Sequence, residues 1–187
     1  MNIAIFASGS GSNAENISKY FSHSTKHKVA FILSNKKDAY ALERAKNLNI
    51  LPIYFSKEEL TDKKIMLDLL QKHKIDFIVL AGYLKLIPEF LIDTYPNRII
   101  NIHPALLPKF GGKGMYGMHV HKAVVEKKET ETGITIHFVN AKYDEGQIIA
   151  QFKCKLETND TPEDVANKIH KLEMDNFPKV IERVLND

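Results

Sequence analysis

Short apolar blocks alternate along the chain with longer segments in which apolar residues recur at helical spacing. Asn2 to Ala7, Val29 to Leu33, Ile50 to Tyr54, Asp76 to Ala81 and Arg98 to Ile102 are near-continuous apolar runs, the pattern of strands covered on both faces. Between them, Asn13 to Phe21, Ala39 to Leu48 and Lys57 to His73 read as helices. In the last of these Leu60, Ile65, Leu69 and Leu70 fall on one face. Strands and helices alternating in this way predict an α/β fold: a doubly wound, mostly parallel sheet with helices on both faces. Past residue 130 the pattern changes. Gly133 to Val139 and Gln147 to Lys155 are β-rich runs joined by a polar loop, predicted as antiparallel strands near the C-terminus. Thr161 to Leu185 reads as a closing helix, with Thr161 as N-cap, Pro162 at the first helical position, and Glu163 and Asp164 in the first turn. Pro178 is expected to kink or restart it.

No repeat, low-complexity tract or Pro/Gly/Ser-rich linker divides the sequence. A single domain over 1–187 is therefore expected, with a first half of about 1–100 and a second of about 101–187. Composition changes this picture little: 44% hydrophobic and 26% charged residues are ordinary for a globular protein. The single cysteine, Cys154, excludes an internal disulfide and a multi-cysteine zinc site. No apolar run is long enough to cross a bilayer, and Met1 to Ala7 lacks a basic leader region, so a cytoplasmic location is expected. The net charge of +3 is mild, with Lys and Glu interleaved. Lys26 to Lys28 and Lys36 to Lys37 read as solvated turns, not as the basic stripe of a nucleic-acid binder. Neither a nucleic-acid nor a membrane partner is expected. A small anionic substrate is compatible with this balance.

Candidate chemistry falls where such folds bind ligands, outside the carboxyl ends of the strands. Ser8-Gly9-Ser10-Gly11-Ser12-Asn13 joins the first strand to the first helix. Its glycines permit close backbone approach, and the helix start offers free N–H groups to a phosphate. A tight turn with a serine or asparagine cap is the plainer reading. Gly9, Gly11 and Ala14 also fit a dinucleotide fingerprint, but Leu33-Ser34-Asn35-Lys36 supplies no carboxylate where the ribose would need one.

Asn101-Ile102-His103-Pro104 ends a strand, and residues i and i+2 of a strand point the same way. Asn101 and His103 thus share a face, an uncharged amide donor beside a group that transfers protons near neutral pH. A histidine before a proline also has a purely structural reading. Tyr143-Asp144-Glu145-Gly146 reads as a hairpin turn or as the source of a carboxylate that orients a histidine. His119 and His121 alternate ahead of a helix-like run, and His137 lies in a strand. With no third ligand evident near the pair, no metal site is expected.

Together, Ser8 to Asn13, Val79-Leu80-Ala81-Gly82-Tyr83-Leu84, Asn101 to Pro108, and Thr132-Gly133 through His137-Phe138-Val139 to Asp144-Glu145-Gly146 resemble the phosphoribosylglycinamide formyltransferase family. The resemblance runs from Asn2 to about Pro178. It implies formyl transfer from 10-formyltetrahydrofolate, as cosubstrate, to the amine of 5'-phosphoribosylglycinamide in de novo purine biosynthesis, through a tetrahedral intermediate and without a metal. It implies that Asn101, His103 and Asp144 are catalytic, and that Gly11, Ser12 and Asn13 bind the substrate phosphate. It places Glu173 at the substrate ribose. Leu84, Lys85, Leu86 and Ile87, with Asn101, Asn140 and Asp144, are implied to hold the folate. The first half is then the phosphate-binding part, the second the catalytic and folate-binding part, and the protein a monomer or weak homodimer.

Two segments depart from the family pattern. Lys109 to His119 is longer and richer in glycine, which suggests a mobile loop with Lys113 able to approach a phosphate or face solvent. Near Ser56-Lys57-Glu58 the family often has a folate-contacting arginine, and Lys57 cannot reproduce its bidentate grip on a carboxylate. The alternatives are formyl transfer to another amine, such as an amino sugar nucleotide, and a non-catalytic phosphate-binding module. Methionyl-tRNA is a less suitable acceptor, because the enzyme acting on it carries a further C-terminal domain and this chain ends at Asp187.

Overall fold

Every residue of β1 (Asn2–Phe6) after Asn2 is buried, as is all of β4 (Phe77–Leu80). A strand covered on both faces has no position for a polar side chain, which is why these segments are uninterrupted apolar runs. The computed structural model describes residues 1–187, which divide into two compact units, Met1–Ile100 and Asn101–Asp187.

In the first unit four parallel strands lie in the order β3-β2-β1-β4, with β2 at Lys28–Ser34 and β3 at Leu51–Tyr54. The chain steps outward from β1 to β3 through α1 (Ser12–Phe21) and α2 (Tyr40–Asn47). It then returns to β4 through α3 (Lys57–Thr61) and α4 (Lys63–Lys72). Right-handed crossovers put the outgoing and returning helices on opposite faces. The doubly wound, parallel class read from the apolar runs is the one observed. The direction of travel reverses between β1 and β4, the place where open α/β sheets form a ligand crevice.

The expected single helix over Lys57 to His73 is two helices. Asp62 adopts extended backbone, φ −77° and ψ 109°, and its carboxylate accepts from Ile65 N–H. A side chain that caps the following turn competes with continuation of the preceding helix. A short helix, α5 (Glu89–Thr94), adds to the elements expected in this unit.

β5 (Ile99–His103) carries the chain into the second unit. There β6 (Glu131–Phe138) and β7 (Ile148–Lys155) pair antiparallel, with Ile134 opposite Phe152, as expected for the late β-rich runs. α6 (Met118–Glu126) precedes them and α7 (Pro162–Asn186) closes the chain. Thr161 and Asp164 form a reciprocal capping box at the start of α7. Of the expected kink or restart at Pro178, the restart does not occur. The helix runs through it because Phe177, Pro178, Val180 and Ile181 are all buried, and this packing outweighs one missing hydrogen bond. No helix is long and apolar enough to cross a membrane.

Phe177 is fully buried, and Val165, Ile169, Val180 and Ile181 of the same helix and Ile134 and Ile136 of β6 are buried too. Phe177→Ala should destabilise the protein by about 3–5 kcal/mol, read as a lower denaturant midpoint.

Candidate active site

In the first unit the site begins with a left-handed backbone position that glycine adopts without strain. Gly11 caps α1 at φ +74°, and a Cβ there would come within 2.6 Å of the Ala41 Cα. Its carbonyl accepts the N–H of Glu15 at 2.9 Å. Ser8 joins this loop to the one after β4: its N–H donates to Gly82 O at 3.0 Å, and its hydroxyl accepts from Leu84 N–H at 3.0 Å. The same hydroxyl donates to Asn35 Oδ1 at 2.6 Å. Asn35 thus occupies the strand end where a dinucleotide site would carry a carboxylate, and it supports the serine instead.

Downstream of Ser8's contact, Leu84 and Leu86 are 41% and 45% exposed, while Ile87 is buried. Lys57 opens α3 and is exposed; the neighbouring Ser56 and Glu59 cap that helix.

In the second unit β5 ends in Asn101 and His103, whose side chains share one face by strand alternation. The loop that follows is braced from β6. Thr135 Oγ1 donates to Ala105 O at 2.7 Å and accepts from Leu107 N–H at 3.0 Å, and Gln151 Nε2 donates to Leu107 O at 3.0 Å. Ala105 and Leu107 are buried, and Leu107–Pro108 is a cis peptide. The loop between β6 and β7 supplies Asp144, in left-handed backbone at φ +56°. Gly146 holds that loop close: a Cβ there would meet Phe138 O at 1.6 Å.

The three side chains converge. His103 Nδ1 lies 3.4 Å from Asp144 Oδ2, and Asn101 Nδ2 lies 3.4 Å from Asp144 Oδ1. Gly112 N–H donates to Asp144 Oδ2 at 2.9 Å, so the glycine-rich stretch is tied to the acidic loop. Gly112, Gly114 and Gly117 all have positive φ, and Lys113 among them is exposed. His103 Nε2 sits 2.8 Å from Phe110 O. Acceptors therefore face both ring nitrogens, and only the imidazolium carries an N–H for each.

Burial works against that charge. It pulls the His103 imidazole below its ordinary value, opposed by the Asp144 carboxylate and the Phe110 carbonyl. Burial alone would raise Asp144, but His137, His103 and the Gly112 N–H outweigh it and hold the carboxyl below the usual carboxylate range.

Both shifts make the fold sensitive to acid. The unfolded chain binds protons at these groups near the ordinary values of 6.5 and 3.8, and the folded chain binds them only at lower pH. Their contribution to stability is present above those values and is lost as pH falls through the lowered ones. Denaturant titrations should show the unfolding free energy declining from pH 7 to about pH 4, with a shallower decline in His103→Gln.

One residue of this cluster was not singled out for the site by the sequence reading. His137, 2% exposed on β6, has its Nδ1 2.8 Å from Phe138 O; with the proton on Nδ1, Nε2 accepts from Asn101 Nδ2 at 3.2 Å, and the same Nε2 lies 3.6 Å from Asp144 Oδ1. The available signal was Thr135 and His137 at i and i+2, two polar residues on one buried face of an apolar strand. Asn140 precedes Asp144 in the loop and accepts from Lys142 N–H.

Glu173, on α7, is largely buried, with His170 Nδ1 3.8 Å from its carboxylate, and its charge reaches His103 and His121. It raises His170 through a hydrogen bond. His119 and His121 lie inside α6, where i and i+2 diverge around the helix. His121 is buried with Nδ1 unpartnered and pulled down by burial, whereas His119 is exposed against Tyr116.

Residues 1–181 match the family model described as Formyl transferase. The chloroplastic phosphoribosylglycinamide formyltransferase of Arabidopsis thaliana is 46% identical over 180 residues, 91% of this chain and 62% of the relative. The Bacillus subtilis phosphoribosylglycinamide formyltransferase is 35% identical over 187 residues, 97% of this chain and 93% of the relative. This chain spans about three fifths of the length of the chloroplastic relatives it matches. The crystal structure of phosphoribosylglycinamide formyltransferase from Streptococcus pneumoniae superposes with a TM-score of 0.86 at 36% identity, covering 98% of both chains.

Proposed function

Because the chain belongs to the formyl transferase family, we propose that it moves the formyl group of 10-formyltetrahydrofolate to the amine of 5'-phosphoribosylglycinamide, a step of de novo purine biosynthesis. The observation that carries this reading is the meeting of Asn101, His103 and Asp144 within the second unit.

The substrate amine attacks the formyl carbon, and negative charge grows on the formyl oxygen. The Asn101 amide and a protonated His103 ring donate to that oxygen by exchanging present bonds for it, Asn101 Nδ2 to Asp144 Oδ1 and His103 Nε2 to Phe110 O. Asp144 favours the imidazolium that burial disfavours, so the ring is poised to take its charge when an anion forms beside it. One proton passes from the attacking amine to the departing folate nitrogen. His137 orients the Asn101 amide by accepting one of its hydrogens.

The remaining roles follow the family pattern. Gly11, Ser12 and Asn13 receive the substrate phosphate at the start of α1, and Glu173 receives the ribose. Leu84, Lys85, Leu86 and Ile87 hold the folate ring, joined by Asn140 and Asp144 on its polar edge. The open apolar surface of Leu84 and Leu86 fits such a ring. The folate supplies the formyl group, and no metal takes part. The protein is read as one working domain over 1–187, cytoplasmic, a monomer or weak homodimer, with small-molecule partners and no nucleic-acid or membrane partner.

The test is spectrophotometric assay of folate product with glycinamide ribonucleotide, an amino sugar nucleotide and formyl-free controls. Turnover should require the formyl donor and favour glycinamide ribonucleotide by at least about 100-fold in kcat/KM. Faster turnover of the amino sugar nucleotide would reassign the acceptor. Binding of both substrates without turnover would leave a phosphate-binding module.

A further inference from the structure

α2 holds the glycine loop at two consecutive carbonyls. Ala41 N–H donates to Gly9 O at 3.1 Å, and Arg44 Nε donates to Ser10 O at 2.9 Å. Arg44 is itself fixed on two further sides. Its Nη1 pairs with Glu15 of α1, which also pairs with Lys19 at 2.5 Å, and its guanidinium lies over the Tyr40 ring, 4.9 Å from the centroid. Its charge is therefore matched within the protein.

A trans peptide is planar and sets each N–H opposite the preceding carbonyl. With the Gly9 and Ser10 carbonyls turned toward α2, the Ser10 and Gly11 N–H groups are turned away from it. Successive N–H groups aligned in this way form an anion-binding concavity, here immediately ahead of the first turn of α1. The position demands an arginine. Nε and Nη1 serve different partners from one rigid plane while the guanidinium carbon lies over the Tyr40 ring, and the single ammonium of lysine cannot do all three.

We infer that Arg44 is a positioning residue for phosphate recognition: it does not touch the anion, but fixes the Ser10–Gly11 peptide so that its N–H faces the substrate. This rests on the reading of Gly11, Ser12 and Asn13 as the phosphate loop.

The test compares formyl transfer to glycinamide ribonucleotide and to the riboside lacking its phosphate, in the wild type, Arg44→Met, Arg44→Lys and Glu15→Gln. The wild type should prefer the ribonucleotide. Arg44→Met should raise KM for the ribonucleotide about 10-fold and leave kcat within about twofold, with kcat/KM for the riboside unchanged. Arg44→Lys should shift the same way, and Glu15→Gln by less. A purely structural role would lower turnover of both acceptors together. That result, or an unchanged KM in folded Arg44→Met, overturns the assignment. If Arg44→Met does not fold, Arg44→Lys and Glu15→Gln decide by the same comparison. A wild type indifferent to the phosphate overturns the phosphate-loop reading first, and the role of Arg44 with it.

Discussion

His103→Ala is expected to keep the fold and lose about 100- to 1,000-fold in kcat, the usual cost of removing one donor from a developing oxyanion. The loss should fall on kcat more than on KM, because the ring's charge matters only once the formyl oxygen becomes anionic. Folding should survive. The imidazole is buried, but burial and ionisation oppose each other at this position, so its removal relieves a cost as well as opening a small cavity. Far-ultraviolet circular dichroism and gel filtration check the fold, and initial rates give kcat.

Asp144→Asn should be nearly as damaging, with about a 100-fold loss at pH 7, and it separates charge from shape. Asparagine is at home in the left-handed backbone that residue 144 adopts, and its Oδ1 can still accept from Gly112 N–H. What disappears is the negative charge beside the rings of His103 and His137. Asp144 pulls the His103 value upward, so its loss lets burial depress that value further. The imidazolium then becomes scarcer at neutral pH, and the pH optimum of kcat moves toward acid. A pH–rate profile reads this directly. An unmoved profile with reduced activity would mean that Asp144 acts by position and not by charge.

Much of this arrangement was legible in the order of residues, for physical reasons that differ from place to place. β1 and β4 announced themselves because a strand covered on both faces leaves no room for polar residues. Gly11 was marked as special, and its positive φ and its approach to Ala41 explain why no side chain fits there. Asn101 and His103 could be placed on one face from the strand period alone. Asp144 could not be joined to them, since a turn sequence does not say what the turn folds against. His137 was hidden because a histidine within an apolar strand looks the same whether it packs or accepts a hydrogen bond. The break at Asp62 was missed because an aspartate on a helix surface and one capping the next helix occupy the same place in an amphipathic pattern. At Pro178 local chemistry predicts a kink or a restart, and the helix does not restart there because the residues around the proline are buried.

The most direct measurement is the rate of folate product formation with glycinamide ribonucleotide at pH 7, wild type beside folded His103→Ala. Formyl transfer in the wild type that falls by at least about 100-fold in the variant is the predicted result. Equal rates in the two proteins, or none in a wild type that binds both substrates, would contradict it.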